Sequence, residues 1–588
     1  MSAINPENIF RSAHFIDNSH YDAILSIFKQ NIHKDLQNVT RLLSRCATED
    51  EKLDVLGKYF SWRDVPNEYF ERIKKSSQFS NSFRTLGNES YKGKKISEAL
   101  RFYNLAILFA HAKSPEKGLA LANRSALLMG LKEYEDALTD CIKALDYAEV
   151  LGDSEIVDKL KIRKAKLETL SENGTNLHGK HFPGTELLRE IVEKVGKNND
   201  EIEGAAEFVR IFTQEGKGRG LRNVGQEKVK AGNCILIDAG YTIMLDKQTN
   251  WDTQHCSGCG KVILGGVSDE EDVFSTYCSS TCMENFTKTY GNLPTLYPYF
   301  HHIEPLHECL LICKIFAKSR DHDLGQSVTK SKYDARSYST VANLMAHSIA
   351  FDPTRITAES PHFKAIFIGH LLKNLHFLNL SQPTISRLTL RHLFSLPHNM
   401  ITLSDWASPE GPITHPLWDS RAREKYLTIK TKSYATGVFP VTALCNHSCD
   451  PNCVWVQNPR VGLGVLVTIR EIGAGEELCI SYKQPWSRMR GDERRKWLRE
   501  GYGFECGCVA CIEDWKMLKG GDENVDKIRE FETLLKNGER LLNSGNVRQA
   551  WRCFMEIEGM IRGEDRRLEW VQRGEEFGRR AFVEMGMR

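Results

Sequence analysis

The chain has 588 residues, 41% hydrophobic and 27% charged, enough at roughly 100–200 residues per domain for about three to five globular units. Its formal net charge of +2 gives no electrostatic case for a dedicated nucleic-acid binder. The opening MSAINPENIFRSAHFID lacks the apolar core of a signal peptide, and no uncharged apolar run reaches membrane-spanning length, so a soluble intracellular protein is expected.

In chain order, residues 1–77 show amphipathic Phe and Leu spacing and read as helical. From about Ser80 to Val150 small and apolar residues recur in two similar helical passes. The first has Leu86-Gly87-Asn88, Ala99, Tyr103 and Ala106; the second has Asn123, Ala137, Cys141 and Ala144. Small residues let antiparallel helices approach closely, which is the physical content of a tetratricopeptide pattern, assigned to 78–170. The insertion AKSPEKG, Ala112 to Gly118, lengthens the first unit. SENGTNLHGKHFPGT, Ser171 to Thr185, is rich in turn formers and opens a linker-and-helix segment at 171–203.

Beyond it the pattern becomes β-rich. In GKGRGLR, Gly216 to Arg222, glycines let backbone approach a ligand while Lys217 or Arg219 meets a carboxylate. CILIDAGYTIML, Cys234 to Leu245, holds short strand-like runs. Cys256-x2-Cys259 and Cys278-x3-Cys282 then supply four thiolates, sufficient for one structural zinc. Residues 261–277 hold no cysteine or histidine, and Cys309, Cys313, His301, His302 and His307 assemble no complete set for a further ion. The stretch from about 283 to 430 is mostly helical in pattern, with proline breaks.

NHSCDPNC, Asn446 to Cys453, packs an amide, an imidazole and thiols into one turn. The following VWVQNPRVGLGVLVTIREI reads as a hairpin, with Val465, Val467 and Ile469 on one face and Leu466 and Thr468 on the other. GEELCISY, Gly475 to Tyr482, precedes FECGCVAC, whose Cys506, Cys508 and Cys511 offer three thiolates in a tight turn. A tetrahedral zinc needs a fourth ligand, either Cys449 or Cys453. After Asp514 the pattern is helical again, and 531–560 is itself repeat-like. Seventeen cysteines, many at ligand spacing in a reducing compartment, point to zinc rather than disulfides. Two zinc sites are expected, without a set for a third.

This order of motifs resembles the SMYD (SET and MYND domain) family of protein-lysine methyltransferases, and the N-terminal repeats its tetratricopeptide-containing branch. The resemblance implies an α+β multidomain fold. Its β-rich split SET core is interrupted by a MYND-like zinc finger and a helical insert, and flanked by helical tetratricopeptide-like regions. The core would comprise 204–250 and 431–485, the degenerate finger 251–313, the insert 314–430, a post-SET zinc segment 486–515, and a helical tail 516–588. The family implies S-adenosyl-L-methionine as cofactor, held by Asn446, His447, the GKGRGL turn with Lys217 and Arg219, and Phe504 against the adenine. It implies Tyr482 at the mouth of a lysine channel as the catalytic residue, with Tyr502 a second channel aromatic, and Cys449 as the fourth ligand of the Cys506, Cys508, Cys511 zinc. The implied partners are a protein substrate bearing a lysine and proteins held by the repeats, with no membrane or direct nucleic-acid binding, in cytoplasm and nucleus.

One departure stands out. Where the family commonly has an asparagine in an N-S-F-like string, this chain has Lys432-Ser433-Tyr434. A cation there opposes a sulfonium unless it points at the cofactor carboxylate or to solvent. That residue and the reduced finger motivate the alternative of a non-catalytic SET and tetratricopeptide adaptor.

Overall fold

The computed structural model describes residues 18–61, 63, 75–151, 154–172, 195, 199–238, 240–246, 255–260, 263, 265–267, 275–291, 293–300, 303, 306–319, 324, 337–347, 351–408, 411–412, 430–458, 463–483, 485–518 and 525–587. Most of the expected linker at 171–203, together with His301 and His302, lies outside them, as does the side chain of Lys432.

Three short helices come first: α1 (Asn18–Lys34), α2 (Leu36–Leu43) and α3 (Glu49–Gly57), the last started by a reciprocal capping box between Thr48 and Glu51. The hairpins α4 (Ser77–Lys92) with α5 (Ile96–Phe109), and α6 (Pro115–Gly130) with α7 (Tyr134–Leu151), follow, and α8 (Ser154–Glu172) closes the series. Ser76 and Ser114 cap α4 and α6 through their hydroxyls. The crossings need glycine: a Cβ on Gly87 would sit 2.5 Å from the Tyr103 ring, and one on Gly118 2.7 Å from Tyr147 Cβ. Ala99, Ala106, Ala137 and Ala144 are all buried at these crossings.

The β-rich part forms three small sheets. β1 (Val209–Gln214) and β2 (Gly218–Asn223) make an antiparallel hairpin that continues into β11 (Glu477–Ile480) and then, in parallel, β8 (Asn446–His447). A second sheet has the order β3 (Cys234–Asp238), β10 (Leu463–Thr468), β9 (Cys453–Asn458). The third has the order β4 (Thr242–Leu245), β7 (Lys430–Val438), β5 (Met400–Ser408), β6 (Gly411–Pro412). Strands from before and after residues 251–430 thus lie side by side.

Two expectations change here. The hairpin of β9 and β10 forms, but β10 is the central strand, and Val465, Leu466, Val467 and Thr468 are all buried. The two faces of the strand are thus both packed. Across the stretch from about 283 to 430 expected to be helical, α9 (Ser280–Tyr290), α10 (Cys309–Lys318), α11 (Pro361–Asn374) and α12 (Gln382–Asn399) are helices, yet β5 is a strand. Pro397 lies near the end of α12, and β7 supplies the ladder partner for the residues that follow.

The longer helices that follow are α13 (Gly491–Tyr502), α14 (Val525–Asn543), α15 (Val547–Ile561) and α16 (Glu569–Met587). Phe531, Phe554, Phe577 and Phe582 from the last three share one core with Val456, Val465 and Val467. A second, larger core joins the N-terminal hairpins, residues 256–316 and the insert. Among the described residues, no helix is long and apolar enough to cross a membrane.

Candidate functional site

The parallel pairing of β8 with β11 sets Asn446 opposite Cys479 and His447 opposite Ile480. Chain segments from both ends of the β-rich part therefore meet around NHSC. Asn446 Nδ2 donates to the Arg219 carbonyl at 3.3 Å and to Glu477 Oε1 at 2.8 Å. The other Glu477 oxygen accepts Lys217 Nζ at 3.1 Å. Glycine at 220 is what allows this closeness, since a Cβ there would stand 2.6 Å from Asn446 Nδ2 and 2.8 Å from the Phe212 ring. Lys217 is therefore spent on Glu477, and the Arg219 guanidinium reaches the Asn343 carbonyl of the insert.

His447 is fixed at both nitrogens. The Tyr482 backbone N–H donates to Nδ1 at 3.0 Å, and Nε2 lies 3.3 Å from Cys449 Sγ. Acceptance at Nδ1 requires the proton on Nε2, aimed at sulfur. Burial pushes this imidazole down to about 4, so it is neutral at physiological pH.

An aromatic wall continues from it. Ring centroids of Tyr482 and Tyr502 are 4.8 Å apart, His447 and Tyr482 5.2 Å, and His447 and Phe504 6.2 Å. The Tyr482 hydroxyl donates to the Cys445 carbonyl at 2.9 Å. Burial, the largest cause, raises its ionisation above the ordinary phenol range, which keeps the proton on oxygen. The insert closes the wall with His398, 5.9 Å from the Tyr502 ring and 4.9 Å from His347.

Behind the wall, Cys449, Cys506, Cys508 and Cys511 place their sulfurs within 4.8 Å of one another, the donor set of a closed tetrahedral zinc site. Cys453 is instead a core residue of β9 opposite Thr468. Arg494 Nη2 approaches Cys511 Sγ at 3.7 Å, a fitting counter-charge because four thiolates around a dication leave a net negative centre. Cys256, Cys259, Cys278 and Cys282 form a second such group. Buried Lys314 stands beside it and donates to the Ser257 carbonyl at 3.4 Å. Both groups could hold zinc. Cys309 and Cys313 are wholly buried in the helical core and join neither group.

Sequence reasoning missed Glu477, Cys445, His398 and Asn452. Asn452 accepts the Cys479 N–H at 2.8 Å and donates to the Glu477 carbonyl at 2.8 Å, locking the turn onto β11. Glu477 stands in the singled-out GEEL string, so its motif was visible and its partners were not. Arg566 of the tail grips Asp450 of the same turn at 2.5 and 2.7 Å and also pairs with Glu575.

Comparison with known proteins agrees with this geometry. The SET domain family matches residues 218–483. The chain is 23% identical to protein-lysine N-methyltransferase SMYD4 of Mus musculus, over 84% of this chain and 79% of that protein. For the SMYD4 of Danio rerio the identity is 24%, over 77% of this chain and 67% of the relative. A shorter region, 18% of this chain and 24% of the relative, is 46% identical to histone-lysine N-methyltransferase SMYD3 of Mus musculus. The chain therefore carries a SET domain over residues 218–483 and is similar along most of its length to the SMYD4 protein-lysine N-methyltransferases.

Proposed function

We propose that this chain is an S-adenosylmethionine-dependent protein-lysine N-methyltransferase whose reaction runs along the Tyr482 wall. The observation that carries the reading is the arrangement of Tyr482, Tyr502, His447 and Phe504 in one aromatic enclosure, backed by the four cysteines. S-adenosylmethionine, when bound, supplies an electrophilic methyl group on a sulfonium. Asn446 fits its ammonium end, because Oδ1 takes no protein donor among the described residues while Nδ2 is held by Arg219 and Glu477.

The chain's own residues position and desolvate. A lysine of pKa about 10.4 must reach the site neutral, and an aromatic enclosure that excludes water favours the uncharged amine. With its hydroxyl hydrogen committed to the Cys445 carbonyl, Tyr482 has lone pairs to accept an amine N–H and aim the nitrogen for in-line attack. No strong base is needed beyond water for the proton that leaves.

The α4 to α7 hairpins are proposed to be tetratricopeptide repeats that select protein partners, and the Cys256 to Cys282 segment a reduced MYND finger carrying one zinc. Lys432 is backbone-paired with Asp405 in the third sheet. Cytoplasm and nucleus are the proposed locations. Titration calorimetry of S-adenosylmethionine into zinc-replete wild type and His447→Ala tests the reading. Heat from the wild type, lost in the variant, is expected, followed by labelled methyl transfer to proteins of a cell extract. No heat from the wild type would overturn the enzyme and favour the adaptor.

A further inference from the structure

The edge of the aromatic enclosure carries a cation that the methyl-transfer geometry does not use. Lys483 follows Tyr482 directly, and Tyr482 is fixed twice, by its N–H on His447 Nδ1 at 3.0 Å and by its hydroxyl on the Cys445 carbonyl at 2.9 Å. The backbone at Lys483 is thereby held against the site. Its Nζ stands 4.5 Å from the centroid of the Trp497 ring. That ring lies 5.3 Å from Tyr502, itself 4.8 Å from Tyr482, so a series of contacts runs from exposed Lys483 into the enclosure.

The platform under the ammonium is anchored. Trp497 belongs to α13, where Arg494 reaches Cys511 Sγ at 3.7 Å and the Trp486 carbonyl at 3.3 Å, and Arg495 donates to the Cys511 carbonyl at 3.2 Å. An indole face attracts a cation without accepting its N–H hydrogens one by one, so the ammonium stays placed and its donors stay open. Among the described residues Lys483 has no carboxylate partner. The neighbouring acids meet other cations: Asp492 faces Arg490 at 3.3 Å, Glu500 faces Lys496 at 3.9 Å, and Glu505 pairs with Arg499. On the insert side of the Tyr502 ring stand His398 and then His347. The ring contacts around Tyr502 thus bring up an ammonium and two imidazoles, and no carboxylate.

A substrate chain that inserts a lysine here carries its flanking residues past this edge, since consecutive Cα atoms are only about 3.8 Å apart. A flanking carboxylate meets an uncompensated ammonium, whereas a flanking cation meets like charge. We infer that Lys483 selects target lysines with an aspartate or glutamate within two residues in sequence. The inference rests on the methyltransferase reading and deepens it, naming the substrate class as lysine in an acidic sequence context.

The test supplies trideuteromethyl S-adenosylmethionine to the full-length, zinc-loaded protein in cell extract, and mass spectrometry reads the residues flanking every heavy-methylated lysine. Aspartate and glutamate are expected within two positions at least about threefold more often than around unlabelled lysines of the same proteins, the scale of an exposed charge pair. Lys483→Glu should keep the melting temperature, zinc content and cofactor affinity of the wild type and shift the flanks toward lysine and arginine. Lys483→Arg, which also stacks on an indole, should keep the acidic preference. Wild-type flanks without acidic enrichment, or the same flanks in Lys483→Glu as in wild type, overturn the inference while the methyltransferase stands. Heavy methyl on no protein at all, with no calorimetric heat from S-adenosylmethionine, overturns the catalytic reading and the inference with it.

Discussion

The two four-cysteine groups have the same ligand chemistry and different employment. Contacts between sulfurs of the Cys256 group span 26 and 19 residues, and its cysteines pack into the large helical core. Through the Gly266 carbonyl, the same segment accepts buried Arg124 of the N-terminal hairpins at 3.0 Å. The Cys449 group joins residues 57 and 62 apart and forms a small core of its own with Trp486, Leu498, Tyr502 and Phe504. One group staples scaffold to scaffold; the other holds the aromatic enclosure together. A metal site thus acquires a functional meaning from what its ligands are attached to.

The largest effect should come from Cys508→Ser. Zinc by mass spectrometry should fall by one ion per chain, and S-adenosylmethionine affinity by roughly 100-fold or more, because Phe504 and Tyr502 lose their anchor. Next, Tyr482→Phe should retain both zinc ions and bind cofactor within about threefold of wild type, while kcat falls roughly 100-fold from loss of one orienting group. That variant separates the enclosure's chemistry from its architecture.

Arg566→Met probes the same turn from the tail. It leaves Asp450 and Glu575 without their shared guanidinium, a buried-pair rupture costing about 3 kcal/mol, and should weaken cofactor binding about tenfold with zinc content unchanged. Cys259→Ser should have the smallest effect on the pocket: one zinc lost and a lower melting temperature, yet cofactor affinity within about threefold. If Cys259→Ser abolished cofactor binding as completely as Cys508→Ser, the division between the two groups would collapse.

Thiol spacing was the most legible part of the site, because a metal's ligands are local in sequence and fixed in number. The order of β-rich and helical stretches was legible for a related reason, since hydrophobic period reports local geometry. What escaped depended on tertiary neighbours. Cys449 and Cys453 are equally good thiols four residues apart, and only the ladder of β9, which buries Cys453 opposite Thr468, separates them. Lys217 looked like a hand for a ligand carboxylate, but Glu477 occupies it from 260 residues away. His447 read as a cofactor contact through backbone and side chain, and the neighbours of its two nitrogens, the Tyr482 N–H and Cys449 Sγ, were not visible. The strand character of Met400–Ser408 came from β7, a partner absent from the local pattern.

That distance between Lys217 and Glu477 has a kinetic consequence. Closing a loop of 260 rather than 26 residues costs about 2 kcal/mol more in chain entropy, and long-range pairings of this kind are slow to form. The Cys256 group can therefore mature early on a nascent chain, whereas the pairing of β2 with β11 must wait for everything between them. Newly made protein would pass through a metal-bearing but inactive stage, and cofactor capture would mark its graduation to the finished molecule.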